Sequence, residues 1–176
     1  LSANQLIYET ACEQPHYHGM GTTVVTALFH NDCLSIAHVG DSRLYRLRNN
    51  NFTQLTKDHS VRQELIDCGF YTPEQARHSP NKNLVTRALG VGQKVSVDIQ
   101  EFSISTEDIY LLCSDGLNDM LDDDQSSHSL ELAAKRLVDA ANDNGGDDNI
   151  SVILVRSLAV LKPSPNLLQR LWSWWR

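Results

Sequence analysis

Between residues 22 and 48 the chain runs through three apolar, β-branched and aromatic segments: TTVVTALF at 22–29, CLSIAHV at 33–39 and SRLYRLR at 42–48. Only Asn31-Asp32 and Gly40-Asp41 separate them. Such segments favour the pleated, half-buried surface of a sheet. Gaps of two or three residues leave no room for a crossover helix, so neighbouring strands are expected to pair antiparallel. A meander of hairpins is therefore expected. Further strand candidates at 52–55, 84–89, 95–102, 108–113 and 149–155 follow without regular helices between them, which predicts a mainly antiparallel α+β architecture. Helices are expected at 129–143, where Leu130, Ala133, Ala134, Leu137, Val138 and Ala141 share one face before Gly145-Gly146. A second is expected at 61–68, capped by Ser60 and stopped by Gly69. A third starts at Thr72-Pro73-Glu74-Gln75, a capping box with proline at the first helical position.

A chain of 176 residues with 41% hydrophobic and 21% charged residues suits one globular domain with a real core. Its formal charge of -7 argues against nucleic acid, which would need a basic face. That balance suits cation binding. Cys12, Cys33, Cys68 and Cys113 are widely scattered, and three of them lie in apolar runs, so they are expected to be reduced core thiols in a reducing, cytoplasmic setting. No apolar stretch is long enough to span a bilayer, and the N-terminus has no signal-peptide pattern.

Three acidic turns flank apolar strands: Gly40-Asp41-Ser42, Ser114-Asp115-Gly116 and Gly145-Gly146-Asp147-Asp148-Asn149. Each glycine permits a tight turn that aims a carboxylate off a strand end. One such turn is ordinary. Three at one sheet edge would make an all-oxygen environment suited to hard cations such as Mg²⁺ or Mn²⁺. The cations would supply the counter-charge that Asp115 lacks, since nothing basic lies between Tyr110 and Leu121.

Six segments in order carry a resemblance: MGTT at 20–23, HVGDSRLYR at 38–46, LTKDHS at 55–60, NLVTRALG at 83–90, LLCSDGL at 111–117 and GGDDNISVILV at 145–155. They resemble the bacterial form of the PPM or PP2C-type metal-dependent serine/threonine protein phosphatases. The resemblance implies a two-sheet antiparallel β-sandwich flanked by helices, with metals at one end. It implies a PP2C-like domain over residues 1–160, lacking its first strands, a flap-like helical insertion at 61–83, and a proline-containing linker and tail at 161–176.

By the same resemblance, Asp115 and Asp148 match carboxylates at the second metal, and Asp41 matches the aspartate that shares a third metal with Asp115. Two cations, or three, are implied per complete site, with Mn²⁺ or Mg²⁺ equally open. In the family the cations lower the pKa of a bridging water, which attacks the phosphorus of phosphoserine or phosphothreonine in line. No protein nucleophile is needed, and Cys113 is expected to be a small core residue. Asp147, Asp119 and the run Asp122-Asp123-Asp124 are expected to be solvated acids. His16 and His18 are expected in a loop, His38 and His59 in structural roles, and Arg43 and Arg87 in ion pairs.

The family pattern also includes a phosphate-binding arginine, an acidic ligand and a DGxGG-like loop that precede these segments, and none of them occurs in the 176 residues. The chain is thus expected to be the C-terminal portion of a longer product and inactive by itself. The alternative is a pseudophosphatase, a non-catalytic domain that binds phosphoproteins. Expected partners are phosphorylated proteins, targets of a Ser/Thr kinase, with no nucleic acid. The tail NLLQRLWSWWR at 166–176 places Leu167, Leu168, Leu171, Trp172 and Trp175 on one helical face, which suits packing, partner docking or contact with a membrane surface.

Overall fold

The computed structural model describes residues 2–77, 84–117, 130–143, 145–146 and 148–158. The chain opens with helix α1 (Ala3–Glu13) and continues through strands β1 (Val24–His30), β2 (Cys33–Val39), β3 (Arg43–Arg48) and β4 (Asn51–Gln54). Helices α2 (Val61–Asp67) and α3 (Pro73–Arg77) follow, then β5 (Asp98–Ser103), β6 (Ile109–Cys113), helix α4 (Leu130–Asp143) and β7 (Val152–Arg156). Two sheets result, one ordered β1-β2-β5 and the other β4-β3-β6-β7, with every named pairing antiparallel. This is the expected two-sheet sandwich with helices outside it.

The sheets meet along alternate residues. Leu34 and Ile36 of β2 pack with Leu44 of β3 and with Tyr110 and Leu112 of β6; Val25, Ala27, Phe29, Phe102 and Val155 surround them. Phe29 meets the Tyr110 ring edge-on at 5.3 Å between centroids. On the far side of the four-stranded sheet, Tyr45, Leu111 and Cys113 face Leu137 and Ala141 of α4. Strand β6 is thus buried on both faces, which explains why its apolar run is continuous rather than alternating. Truncating a fully buried leucine here, such as Leu44, would cost about 2–5 kcal/mol.

The predicted caps form. Ser60 Oγ accepts from Gln63 N–H at the start of α2, and Thr72 and Gln75 exchange reciprocal bonds of 2.9 and 3.2 Å at α3. The apolar positions expected on α4 are its buried or half-buried face. Four expectations need correction. The meander of hairpins breaks at Gly40-Asp41, where the chain passes from one sheet to the other, so β2 and β3 do not pair and the hairpins are β1–β2 and β3–β4. Residues 84–89 form no strand; their backbone is committed at two isolated bridges, Val85 to Ser60 and Leu89 to Thr22. Helix α1 lies where no helix was expected, although Ser2 and Gln5 carry its signal: Ser2 Oγ accepts from Gln5 N–H. Its Asn4 side chain reaches the backbone of Gly90, Gly92 and Gln93. Of the four unbridged cysteines only Cys113 is a core thiol; Cys12 and Cys68 are exposed and Cys33 is half-buried. Among the described residues no helix is long and apolar enough to cross a membrane. The tail at 166–176 lies outside the described residues.

Buried Asp108 pins the opposite end of the sandwich from the acidic turns. It takes Arg48 on both oxygens, at 2.7 and 2.6 Å, and also accepts from Ser105 N–H and the Tyr110 hydroxyl. Burial pushes its pKa up, but the Arg48 guanidinium and these donors outweigh it and hold the carboxyl below its ordinary value. A depressed pKa stabilises the fold fully above about pH 3.9 and loses that contribution as pH falls through the lower folded value. Asp108→Asn is expected to cost about 1.5–3 kcal/mol at neutral pH in urea unfolding, with the difference from the parent shrinking below that pH.

Candidate metal centre

Arg43, Cys113 and Val152 lie side by side in one row across β3, β6 and β7. Asp41 lies two residues before that row, Asp115 two residues after it and Asp148 four residues before it. Because the strands are antiparallel, all three acidic turns leave the four-stranded sheet at the same end.

Two of the turns are tied together directly. Ser114 N–H donates to Ser151 O at 3.1 Å, Ser151 N–H donates to Ser114 Oγ at 3.0 Å, and that hydroxyl donates to Asn149 O at 3.0 Å. Gly116 presses against the same loop, where an added Cβ would stand 3.0 Å from Asn149 O. Asp115 and Asp148 each accept the backbone N–H that follows them, at 3.1 and 2.7 Å, so their carboxylates are aimed by their own turns. Both residues are exposed. Asp115 is therefore not the buried charge that its place after an apolar strand suggested.

The buried carboxylate is Asp41, at 8% exposure. Burial pushes its pKa up, the negative charge of Asp115 pushes it further, and Asp58 adds to the rise against the pull of Arg43. Asp41 and Asp115 therefore face each other closely enough to repel. Carboxylate oxygens without thiolate or imidazole among them suit a hard divalent cation, although the oxygens of Asp41, Asp115 and Asp148 do not all come within 4.8 Å of one another. Asp119, Asp122, Asp123, Asp124 and Asp147 lie outside the described residues.

Below the Asp41 turn the polarity reverses. Arg43 grips Asp58 with Nε and Nη2, at 2.8 and 2.6 Å, and donates from Nη1 to the Tyr45 hydroxyl. Gln54 and Arg62 complete the ring of donors around Asp58, Arg62 reaching it from the first turn of α2. This network was legible only in part: Arg43 was expected in an ion pair, but nothing marked Asp58 as its partner. Asp58→Asn leaves the nearly buried Arg43 without its counter-charge. The expected loss is about 3–5 kcal/mol in chemical denaturation.

His38 and His59 are more than isolated structural residues. Their rings stack at 4.6 Å, and His59 Nε2 lies 3.2 Å from Asp98 Oδ2. Potential ligand atoms of His38, His59 and Asp98 come within 4.8 Å of one another. That place already has its cation, because Arg87 Nη1 stands 3.0 Å from His59 Nε2 and pairs with Asp98. Burial lowers the His59 pKa, and the charge of Arg87 and neighbouring His38 lower it further against the pull of Asp98. The ring is neutral near pH 7. The expected ion pairing of Arg87 is therefore found, while the role of His59 had no local signal, since its contacts lie 19 to 39 residues away in the chain.

The structure is thus an α+β sandwich of two antiparallel sheets with outer helices, and its three acidic turns leave the four-stranded sheet at one end. The family model described as protein phosphatase 2C matches residues 3–65. The serine/threonine phosphatase stp of Listeria welshimeri is 43% identical over 158 residues, which are 86% of this chain and 63% of that protein. The crystal structure of the Mycobacterium tuberculosis serine/threonine phosphatase PstP/Ppp superposes with a TM-score of 0.80 at 38% identity, over 88% of this chain and 67% of that one. A PstP catalytic domain solved in complex with two manganese ions gives 0.76 at 36% identity, over 86% of this chain and 65% of that one. The chain belongs to the bacterial PPM/PP2C family of protein phosphatases. It spans 63% of the length of the Listeria relative.

Proposed function

We propose that the whole protein removes phosphate from phosphoserine and phosphothreonine in other proteins, with divalent cations held by Asp41, Asp115 and Asp148. The observation that carries this reading is the convergence of these three turns on one sheet end, where Asp115 raises the pKa of Asp41. The manganese in the PstP relative favours Mn²⁺ as the ion to test first.

In this reading each part of the chain has a defined task. Asp115 and Asp148 present oxygens from turns locked together by Ser114, and Asp41 presents a third carboxylate from the neighbouring turn. When bound, the cations supply Lewis acidity toward a water and neutralise charge on the phosphoryl oxygens. Cys113 contributes no nucleophile: burial pushes its thiol up to about 12, so the reactive thiolate is absent at neutral pH. Helices α2 and α3, within residues 61–83, form a flap beside this end, and the protein substrates are products of a Ser/Thr kinase.

The test uses the full-length protein with a phosphothreonine peptide. Chelation is expected to abolish hydrolysis and added Mn²⁺ to restore it. Asp115→Asn and Asp148→Asn should each lower Mn²⁺ affinity at least about 10-fold in calorimetry, with a parallel loss of rate. A full-length protein that binds Mn²⁺ and phosphopeptide yet releases no phosphate would favour a phosphoprotein-binding domain. An Asp115→Asn variant with parental affinity and rate would remove the assignment.

A further inference from the structure

We propose that His59 is a positioning residue that holds the Gly40–Asp41 turn in the shape that presents Asp41 to a cation. The inference rests on the reading of Asp41 as a ligand and assigns the group that keeps it in place.

Gly40 has φ +106, a conformation that side chains rarely adopt, and an added Cβ would lie inside the Thr23 side chain. The residue before Asp41 therefore has no side chain with which to anchor the turn. His59 supplies the anchor from both sides. Its backbone N–H donates to Gly40 O at 3.0 Å, and its Nδ1 accepts Gly40 N–H at 3.1 Å. Two bonds from one residue fix the peptide groups on either side of Gly40, so the chain enters Asp41 in one direction. That constraint opposes a real force, since Asp41 and Asp115 repel and a free turn would swing them apart.

The clamp works only if His59 Nδ1 carries a lone pair, which places the ring proton on Nε2. Arg87 Nη1, which can only donate, stands 3.0 Å from Nε2 and opposes that tautomer, whereas Asp98 favours it. Asp98 Oδ2 lies 3.2 Å from Nε2 and accepts its proton. Asp98 is itself the register partner of His38 on β2 and is paired with Arg87, so it is held on a fixed strand beside the one that leads into Gly40. The His38 ring stacks on that of His59, with its own Nε2 bonded to Lys57 O at 2.9 Å. The backbone also joins His59 to the far side of the helical insertion, because Thr86 N–H donates to His59 O at 2.8 Å. His59 thus stands where the Asp41 turn, β5 and the base of residues 61–83 meet. Its hydrogen bonds and ion pairs among the described residues run to Gly40, Thr86, Arg87 and Asp98.

Two substitutions separate this role from simple packing. His59→Phe keeps a ring to stack on His38 but has no acceptor for Gly40 N–H. His59→Asn loses the ring but places Oδ1 one bond from Cγ, where Nδ1 stood, and can accept that bond. In the full-length protein, His59→Phe is expected to weaken the weakest Mn²⁺ site about 10-fold to 100-fold in calorimetry. It should also speed hydrogen exchange at the Gly40 amide, while His59→Asn stays nearer the parent in both. Imidazole ¹⁵N shifts of the parent should show the proton on Nε2. His59→Phe with parental Mn²⁺ affinity and a protected Gly40 amide, or a proton found on Nδ1, would overturn the proposal. If His59→Phe fails to fold, Asp98→Ala takes its place: a weakened Mn²⁺ site supports the clamp and an unchanged one refutes it. Asp115→Asn run alongside distinguishes the two levels. Loss of Mn²⁺ binding there with a parental His59→Phe would refute only the clamp, whereas an unaffected Asp115→Asn would refute the metal reading itself.

Discussion

Burial of β6 on both faces is the constraint on which the other elements depend. Tyr110 and Leu112 fill the space between the sheets, while Leu111 and Cys113 meet α4 on the outside. A slip of one residue would exchange these two sets and misfit both layers at once, so register is specified twice over. The strand that cannot slip is also the one that ends in Ser114-Asp115-Gly116. The position of the acidic turn is therefore set by the core and not by the loop that carries it.

The opposite electrostatic demands of the molecule are met by separation. Buried acids away from the acidic turns have arginine partners: Asp58 takes Arg43 and Arg62, and Asp108 takes Arg48. Asp41 is buried to a similar degree, yet Arg43 is committed to Asp58 in a bidentate grip and lowers the pKa of Asp41 less than burial and Asp115 raise it. One arginine two residues away is thus not enough to make Asp41 comfortable as an anion. An electrostatic deficit at one carboxylate, beside neighbours whose charges are satisfied, is the pattern expected where a ligand completes the structure.

What the sequence made legible follows from the range of each interaction. Strand alternation, caps and the α4 face depend on residues within one or two turns, and these were readable from Val24 to Arg48, at Ser60 and Thr72, and at Leu130–Asp143. The segment 84–89 has strand-like composition but is engaged at only two bridges, to Ser60 and Thr22, so its pattern reflects local contacts and no ladder. Helix α1 was missed because its Ser2 and Gln5 signal stands beside a weak apolar face. The acidic turns were visible as local glycine–acid pairs, but their order of burial was not. Asp115 follows an apolar strand and is exposed, whereas Asp41, in the short connection that carries the chain from one sheet to the other, is the buried one. Burial of a turn depends on what folds over it, and here His59 of the segment after β4 bonds back to Gly40, which no local pattern specifies.

The acidic end consists of two separately braced halves. Asp115 and Asp148 share one brace, the Ser114 hydroxyl and the close approach of Gly116 to Asn149. Asp41 has another, through Gly40, His59 and Asp98, and that brace ends on β5 of the three-stranded sheet. No hydrogen bond given between described residues links the carboxylates of the two halves; what passes between them is repulsion. A cation shared by Asp41 and Asp115 would convert that repulsion into attraction and join two turns that the protein braces separately. Affinity at such a position depends on how little each half must move to meet the ion, which is why the braces, remote from any reacting atom, carry part of the chemistry proposed for the site.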